Sequence, residues 1–221
     1  MSQFVKKPVQ SSSMGEPAWE VALLFPEQGA WSEEEYLDLD SNHLVEFSDG
    51  VIEVLPMPTT SHQFIVVFLY RLLEAFVSTR KLGTALLAPL RVRLRPDKYR
   101  EPDIVFLLAE HASRIGESFW SGADLVMEVV SSDEKDRRRD LVTKRREYAQ
   151  AGIAEYWIVD PQEEHILVLR LAGKKYLVHG TFPKGNVATS ALLPGFTVDV
   201  TEALSQQIPA AKLPKGRKKH R

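Results

Sequence analysis

Two short apolar segments each carry an acid where a buried strand should be aliphatic. They are Asp103 in Pro102-Asp103-Ile104-Val105-Phe106-Leu107 and Glu128 in Asp124-Leu125-Val126-Met127-Glu128-Val129-Val130. A carboxylate desolvated alone costs several kcal/mol or gives up its charge, so two of them in core strands call for a cation, a proton or a basic partner. Strand alternation places Asp124, Val126, Glu128 and Val130 on one face and Leu125, Met127 and Val129 on the other. If the two strands are neighbours, Asp103 and Glu128 can share one hard cation such as Mg²⁺, completed by water and a backbone carbonyl. Such a centre suits phosphate chemistry.

A third charge comes from the segment that follows. Leu141, Lys144, Tyr148 and Ala151 recur at helical spacing and form a core-facing stripe with a lysine on it. There Lys144 would close the charge deficit of a metal site and stabilise a developing phosphorane oxygen. Arg137, Arg138, Arg139, Arg145 and Arg146 surround it and are expected to be solvated or phosphate-facing. Each of the three residues has a plain structural alternative. Asp103 can cap a turn, Glu128 can pair with a core arginine, and Lys144 can snorkel. Their convergence points to a site.

The elements that must position these residues are readable from pattern. Ser32-Glu33-Glu34-Glu35 is a capping box opening a short helix through Leu39, and Leu44 to Phe47 and Val51 to Leu55 flank the hairpin signal Asp49-Gly50. Thr60 or Ser61 is expected to cap the longest helix, with Ile65, Phe68, Leu69, Leu72, Leu73 and Phe76 at helical spacing. Leu90, Val92 and Leu94 alternate with Arg91 and Arg93 as a half-buried strand before the turn at Pro96-Asp97. The Lys144 helix runs from Ser131-Ser132-Asp133 to Ala151 and stops at Gly152. Glu155 to Val159 is the next strand, His165 to Leu171 and Tyr176 to His179 form a hairpin around Gly173, and a looser region extends to Val200. The order predicts an α/β fold of the α+β kind, a mixed sheet flanked by helices.

The chain has 221 residues, is 44% hydrophobic and contains no cysteine. That is enough for one sizeable core, expected over 19–205, and any metal must sit on oxygen or imidazole ligands. Residues 1–18 are expected to be disordered. No apolar run reaches the ~20 residues of a membrane span and no signal peptide is evident, so a cytoplasmic protein is expected. The net charge of −2 conceals an asymmetry. Lys212, Lys215, Arg217, Lys218, Lys219 and Arg221 concentrate positive charge in a tail over 206–221, leaving 22 basic against 30 acidic residues before it. The tail can hold phosphate backbones or simply be a solvated terminus.

In that order, several segments resemble the PD-(D/E)xK nuclease superfamily, and more closely the Uma-type family of bacterial restriction endonucleases. They are Glu46-Phe47-Ser48-Asp49-Gly50, Ser61-His62-Gln63, Pro102-Asp103-Ile104-Val105, Asp124 through Ser131, Arg139 through Tyr148, and Gly152 through Pro161. The resemblance spans about residues 30 to 170. It implies a restriction-endonuclease-like fold, Asp103 and Glu128 as metal ligands, Lys144 as the catalytic lysine and Glu46 as a further acidic member. The superfamily pattern places its lysine two residues after the second acid, where this chain has Val130, so Lys144 would come from the next helix. His62, in the first turn of a helix beside the proposed site, is a candidate base.

These readings converge on a Mg²⁺-dependent DNA endonuclease, with Mn²⁺ able to substitute and a homodimer suited to cutting both strands. The rivals are a catalytically inactive module of the same fold that binds nucleic acid or a protein, and a hydrolase of small phosphoesters. No Gly-x-Ser-x-Gly elbow or Gly-x-x-x-x-Gly-Lys loop supports a serine hydrolase or a P-loop enzyme.

Overall fold

Asp49 and Gly50 both adopt positive φ, 51° and 84°, and close a two-residue hairpin in the computed structural model, which describes residues 25–39, 43–131 and 133–206. The expected disordered start and, Gln206 aside, the basic tail lie outside these residues. The hairpin joins β1 (Val45–Ser48) to β2 (Val51–Val54), with Ser48 opposite Val51. A side chain at Gly50 is further excluded because a Cβ there would stand 2.6 Å from the Gly29 carbonyl oxygen. Helix α1 (Glu33–Leu37) carries the predicted capping box, Ser32 accepting from the Glu35 amide while the Glu35 carboxylate accepts from the Ser32 amide.

β1 also pairs with β5 (Lys98–Arg100), and β5 with β4 (Val92–Arg95), giving a four-stranded antiparallel sheet ordered β2-β1-β5-β4. The expected strand from Leu90 thus begins two residues later. The long helix α2 (Thr60–Thr79) is capped by Thr59, one residue before the expected cap. Thr59 is the last residue in extended conformation, and its hydroxyl accepts from the His62 amide at 3.2 Å. Ile65, Val66, Leu69, Leu73 and Val77 form its buried face.

The central sheet has six strands ordered β10-β9-β8-β7-β6-β3. They are β3 (Gly83–Leu87), β6 (Ile104–Leu108), β7 (Leu125–Val129), β8 (Glu155–Asp160), β9 (His165–Ala172) and β10 (Lys175–Pro183). Only the β7–β8 pair is parallel, so the chain must cross over between them. The crossover is α3 (Glu134–Arg138), a π-helical segment Arg139–Lys144 and α4 (Arg145–Ala151), ended by Gly152 at φ 83°. The alternation on β7 is realised. Leu125, Met127 and Val129 pack on α2, while Val126 and Val130 pack with Tyr148 and Ala149 of α4. The region expected to be looser contains β11 (Val187–Thr189), β12 (Thr197–Asp199) and α5 (Val200–Leu204), whose Ala188, Phe196, Val198 and Val200 extend the α2-side core.

The π-helical segment departs from the expected continuous helix. Its wider turn shifts the inner stripe, so that Asp140 is buried ahead of Lys144 while Leu141 is only half-buried. Among the described residues no helix is long and apolar enough to cross a membrane.

Candidate active site

β6 and β7 are antiparallel neighbours with Ile104 opposite Met127, so Asp103, immediately before β6, arrives beside Glu128. Asp103 Oδ2 accepts from the Val129 amide at 2.7 Å and lies 3.2 Å from His62 Nε2, delivered from the first turn of α2. Glu128 is buried, and its Oε1 accepts from Lys144 Nζ at 2.8 Å and from the Tyr148 hydroxyl at 2.7 Å. Asp103 Oδ1 and Glu128 Oε2 are left without hydrogen-bond partners among the described residues. Asp103, Glu128, Lys144 and His62 line one cleft of about 410 Å³.

Glu46 reaches the cluster from β1 but does not line that cleft. Fully buried, it stands 3.2 Å from Lys144 Nζ through Oε1 and 3.3 Å from Arg100 through Oε2. Arg100 is gripped by the Glu147 carboxylate at 2.8 and 3.0 Å, and Glu147 also accepts from Lys98 at 2.8 Å. A line of alternating charges therefore runs through the interior from Lys98 to Glu128.

Sequence reasoning missed several members of the cluster. Asp140, one helical turn before Lys144, lies 3.5 Å from its ammonium, yet Asp140 Oδ1 is buried without a hydrogen-bond partner. The i, i+4 spacing to Lys144 was a usable signal, overlooked because a regular helix puts Leu141 on the stripe. Arg139, one of the arginines expected to be solvated or phosphate-facing, lines the cleft, 2.9 Å from Asp136 and 3.7 Å from Asp140 Oδ1. Glu101, two residues before Asp103, has a buried unpartnered Oε2, and burial pushes its carboxyl up to about 7.

Burial dominates the electrostatics of the cluster. Burial pushes Glu128 up to about 8 in spite of Lys144, and burial raises Asp140 as well. Burial opposes the charge on Lys144, but Glu128, Glu46 and Asp140 outweigh it and hold the ammonium well above the ordinary lysine range. Glu46 is lowered despite its burial, because it has Arg100 as well as Lys144. Burial opposes the charge on His62, but its hydrogen bond to Asp103 together with the charges of Asp103 and Glu128 outweighs that and raises it.

Other core acids lack this character. Asp124 accepts from the Leu108 amide at 2.7 Å and contacts His111 at 2.8 Å. Glu155 accepts from Trp157, Ser190 and the Leu192 amide, and Asp160 takes both terminal nitrogens of Arg137. Those carboxylates are satisfied and structural. Tyr156 and Trp157 are fully buried, as core aromatics.

Among the described residues no three His, Asp or Glu side chains form a ready-made metal cage. The donor set nevertheless fits Mg²⁺, which is held by one or two carboxylates and keeps several waters. Asp103 Oδ1 and Glu128 Oε2 could supply two hard oxygen ligands to such an ion, while Asp140 Oδ1 accepts no hydrogen bond and faces Lys144 at 3.5 Å and Arg139 at 3.7 Å.

A family model described as Uma2, "Putative restriction endonuclease", matches residues 33–201. No curated protein matches the sequence. A crystal structure described as a "putative nuclease belonging to DUF820" from Anabaena variabilis ATCC 29413 is similar, with a TM-score of 0.65 and 18% identity over 80% of this chain and 98% of that one. At that identity the likeness is one of fold.

Proposed function

This chain belongs to the Uma2 family, and from that premise we propose that it is a Mg²⁺-dependent DNA endonuclease that hydrolyses phosphodiester bonds, with Mn²⁺ able to substitute. The observation that carries this reading is the pair of unpartnered oxygens, Asp103 Oδ1 and Glu128 Oε2, beside a buried lysine.

Asp103 and Glu128 would hold the ion, which when bound polarises the scissile phosphate and lowers the pKa of a coordinated water. Lys144 keeps positive charge behind the phosphate, where negative charge grows in the transition state. Glu46, braced by Arg100, holds the Lys144 ammonium on a second side. His62 donates from Nε2 to Asp103 Oδ2, which leaves Nδ1, without a hydrogen-bond partner among the described residues, as the nitrogen that would accept or return a proton. Cutting both strands of a duplex would use two copies related by symmetry.

Purified protein incubated with plasmid DNA and Mg²⁺ or Mn²⁺ is expected to nick or linearise it, and Asp103→Ala and Glu128→Ala to abolish cutting. Undiminished cutting by both variants would overturn the assignment. Absence of Mn²⁺ binding in the wild type would make the chain a non-catalytic module of the fold. One observation favours hydrolysis of a small phosphoester instead. Acids outnumber bases on the cleft wall, Glu101, Asp103, Glu128, Asp133, Asp136 and Asp140 against Arg139, Lys144 and His62, an unfavourable surface for a long polyanion. Turnover of a small phosphodiester that exceeds turnover of DNA would select that reading.

A further inference from the structure

The two oxygens of Glu128 have different surroundings. Oε1 takes both available donors, Lys144 Nζ at 2.8 Å and the Tyr148 hydroxyl at 2.7 Å, and Oε2 takes none among the described residues. A glutamate's terminal torsion is broad and roughly two-fold, so a carboxylate held by a flexible lysine alone can exchange its oxygens. Tyr148 is a stiffer partner. Its ring is fully buried and meets Tyr156 edge-on at 5.1 Å. Tyr156 is itself fixed by donating to the Asp140 carbonyl at 3.0 Å, within the π-helical segment. The phenol hydroxyl is thereby anchored to the same segment that carries Lys144.

We propose that Tyr148 is a positioning residue, whose hydroxyl pins Glu128 Oε1 and so turns Oε2 toward the cleft to receive a divalent cation. The inference rests on the metal reading above and adds the residue that orients the ligand. A neutral O–H suits the task, because it fixes the carboxylate while leaving its negative charge for the ion. Lys144 alone cannot do both, since its ammonium is shared with Glu46 at 3.2 Å and Asp140 at 3.5 Å.

The test compares Tyr148→Phe with Tyr176→Phe. Tyr176 also donates a buried hydrogen bond, to the Ile153 carbonyl at 2.8 Å, but does not line the cleft. Mn²⁺ affinity is measured by calorimetry and by electron paramagnetic resonance of the free ion, with thermal melting to match folded populations. Tyr148→Phe is expected to weaken Mn²⁺ binding about ten- to hundredfold, and Tyr176→Phe to leave it at the wild-type value. Equal affinity in Tyr148→Phe and wild type, or an equal loss in both variants, would overturn the positioning role while leaving the metal reading intact. Failure of the wild type to bind Mn²⁺ would overturn both, and is read before any variant is made. A Mn²⁺-soaked crystal of the wild type needs no variant. Metal on Oε2 with Tyr148 still on Oε1 is expected, and metal on Oε1 with the hydroxyl displaced would refute the proposal.

Discussion

Lys144 and Glu128 stand 16 residues apart in sequence and 2.8 Å apart in space, one on the crossover helix and the other on the strand that precedes it. The pair is buried, and Glu46 and Asp140 crowd the same ammonium. Lys144 therefore serves stability as well as chemistry, which leads to the first prediction.

Lys144→Met leaves three carboxylates buried around an apolar tip. Breaking a buried pair by removing one partner costs about 3–5 kcal/mol, so urea unfolding should report a loss of that order at pH 7. The double variant Lys144→Met/Glu128→Gln should regain part of it, because the orphaned charge goes as well. A double variant no more stable than the single one would deny the coupling.

Asp103→Asn keeps an acceptor for the Val129 amide, which Asp103 Oδ2 now satisfies at 2.7 Å. The fold should survive with a melting temperature close to wild type. Cleavage should fall by at least about 10²-fold, comparable to removing a transition-state electrostatic contact, and chelation of the wild type by EDTA should give the same loss, reversed by Mg²⁺. Activity that persists in EDTA would refute metal dependence.

Glu147 predicts an acid limb to stability. Burial opposes its charge, but hydrogen bonds from Arg100 and Lys98 outweigh that and hold its carboxyl below the ordinary range. For a depressed acid the stabilisation is complete above the unfolded-state pKa of ~4.3 and is lost as pH falls through the lower folded value. Glu147→Gln should thus be clearly less stable than wild type at pH 7, and the gap should close below about pH 4. A gap constant from pH 3 to pH 7 would show that the charge is not what matters.

Glu155 separates structural from functional acids. Replacing it with Ala strands the donors of Trp157, Ser190 and the Leu192 amide in the core. A destabilisation of roughly 3 kcal/mol or more follows from several unsatisfied buried donors. Below its melting temperature the variant should bind Mn²⁺ as wild type does, and weakened binding would place Glu155 in the site.

Much of this arrangement is legible in the sequence. Alternation on β7 correctly divided Val126 and Val130 from Leu125, Met127 and Val129, since side chains of a strand can only face two ways. Asp49-Gly50, the Ser32 capping box and Gly152 announced their turns and ends because backbone geometry there depends on one or two residues. Asp103, Glu128 and Lys144 stood out because charge in an apolar pattern demands a partner, and Lys144 and Glu128 prove to be each other's.

Other features were decided by tertiary structure. Glu46 reads locally as a hairpin surface residue, and it is buried because β5 pairs on the other side of β1 and brings Arg100 to it. Asp140 stands four residues before Lys144 and is its neighbour by helical spacing, but its burial against the ammonium was decided by how the crossover packs. By itself the sequence determined which residues are chemically out of place and the local elements that carry them, since both follow from neighbours within a few positions. The tertiary structure alone decided that β6 lies beside β7, that Lys144 and Tyr148 share one oxygen of Glu128, and that the other is left open, because those relations depend on long-range pairing and on packing to within an ångström.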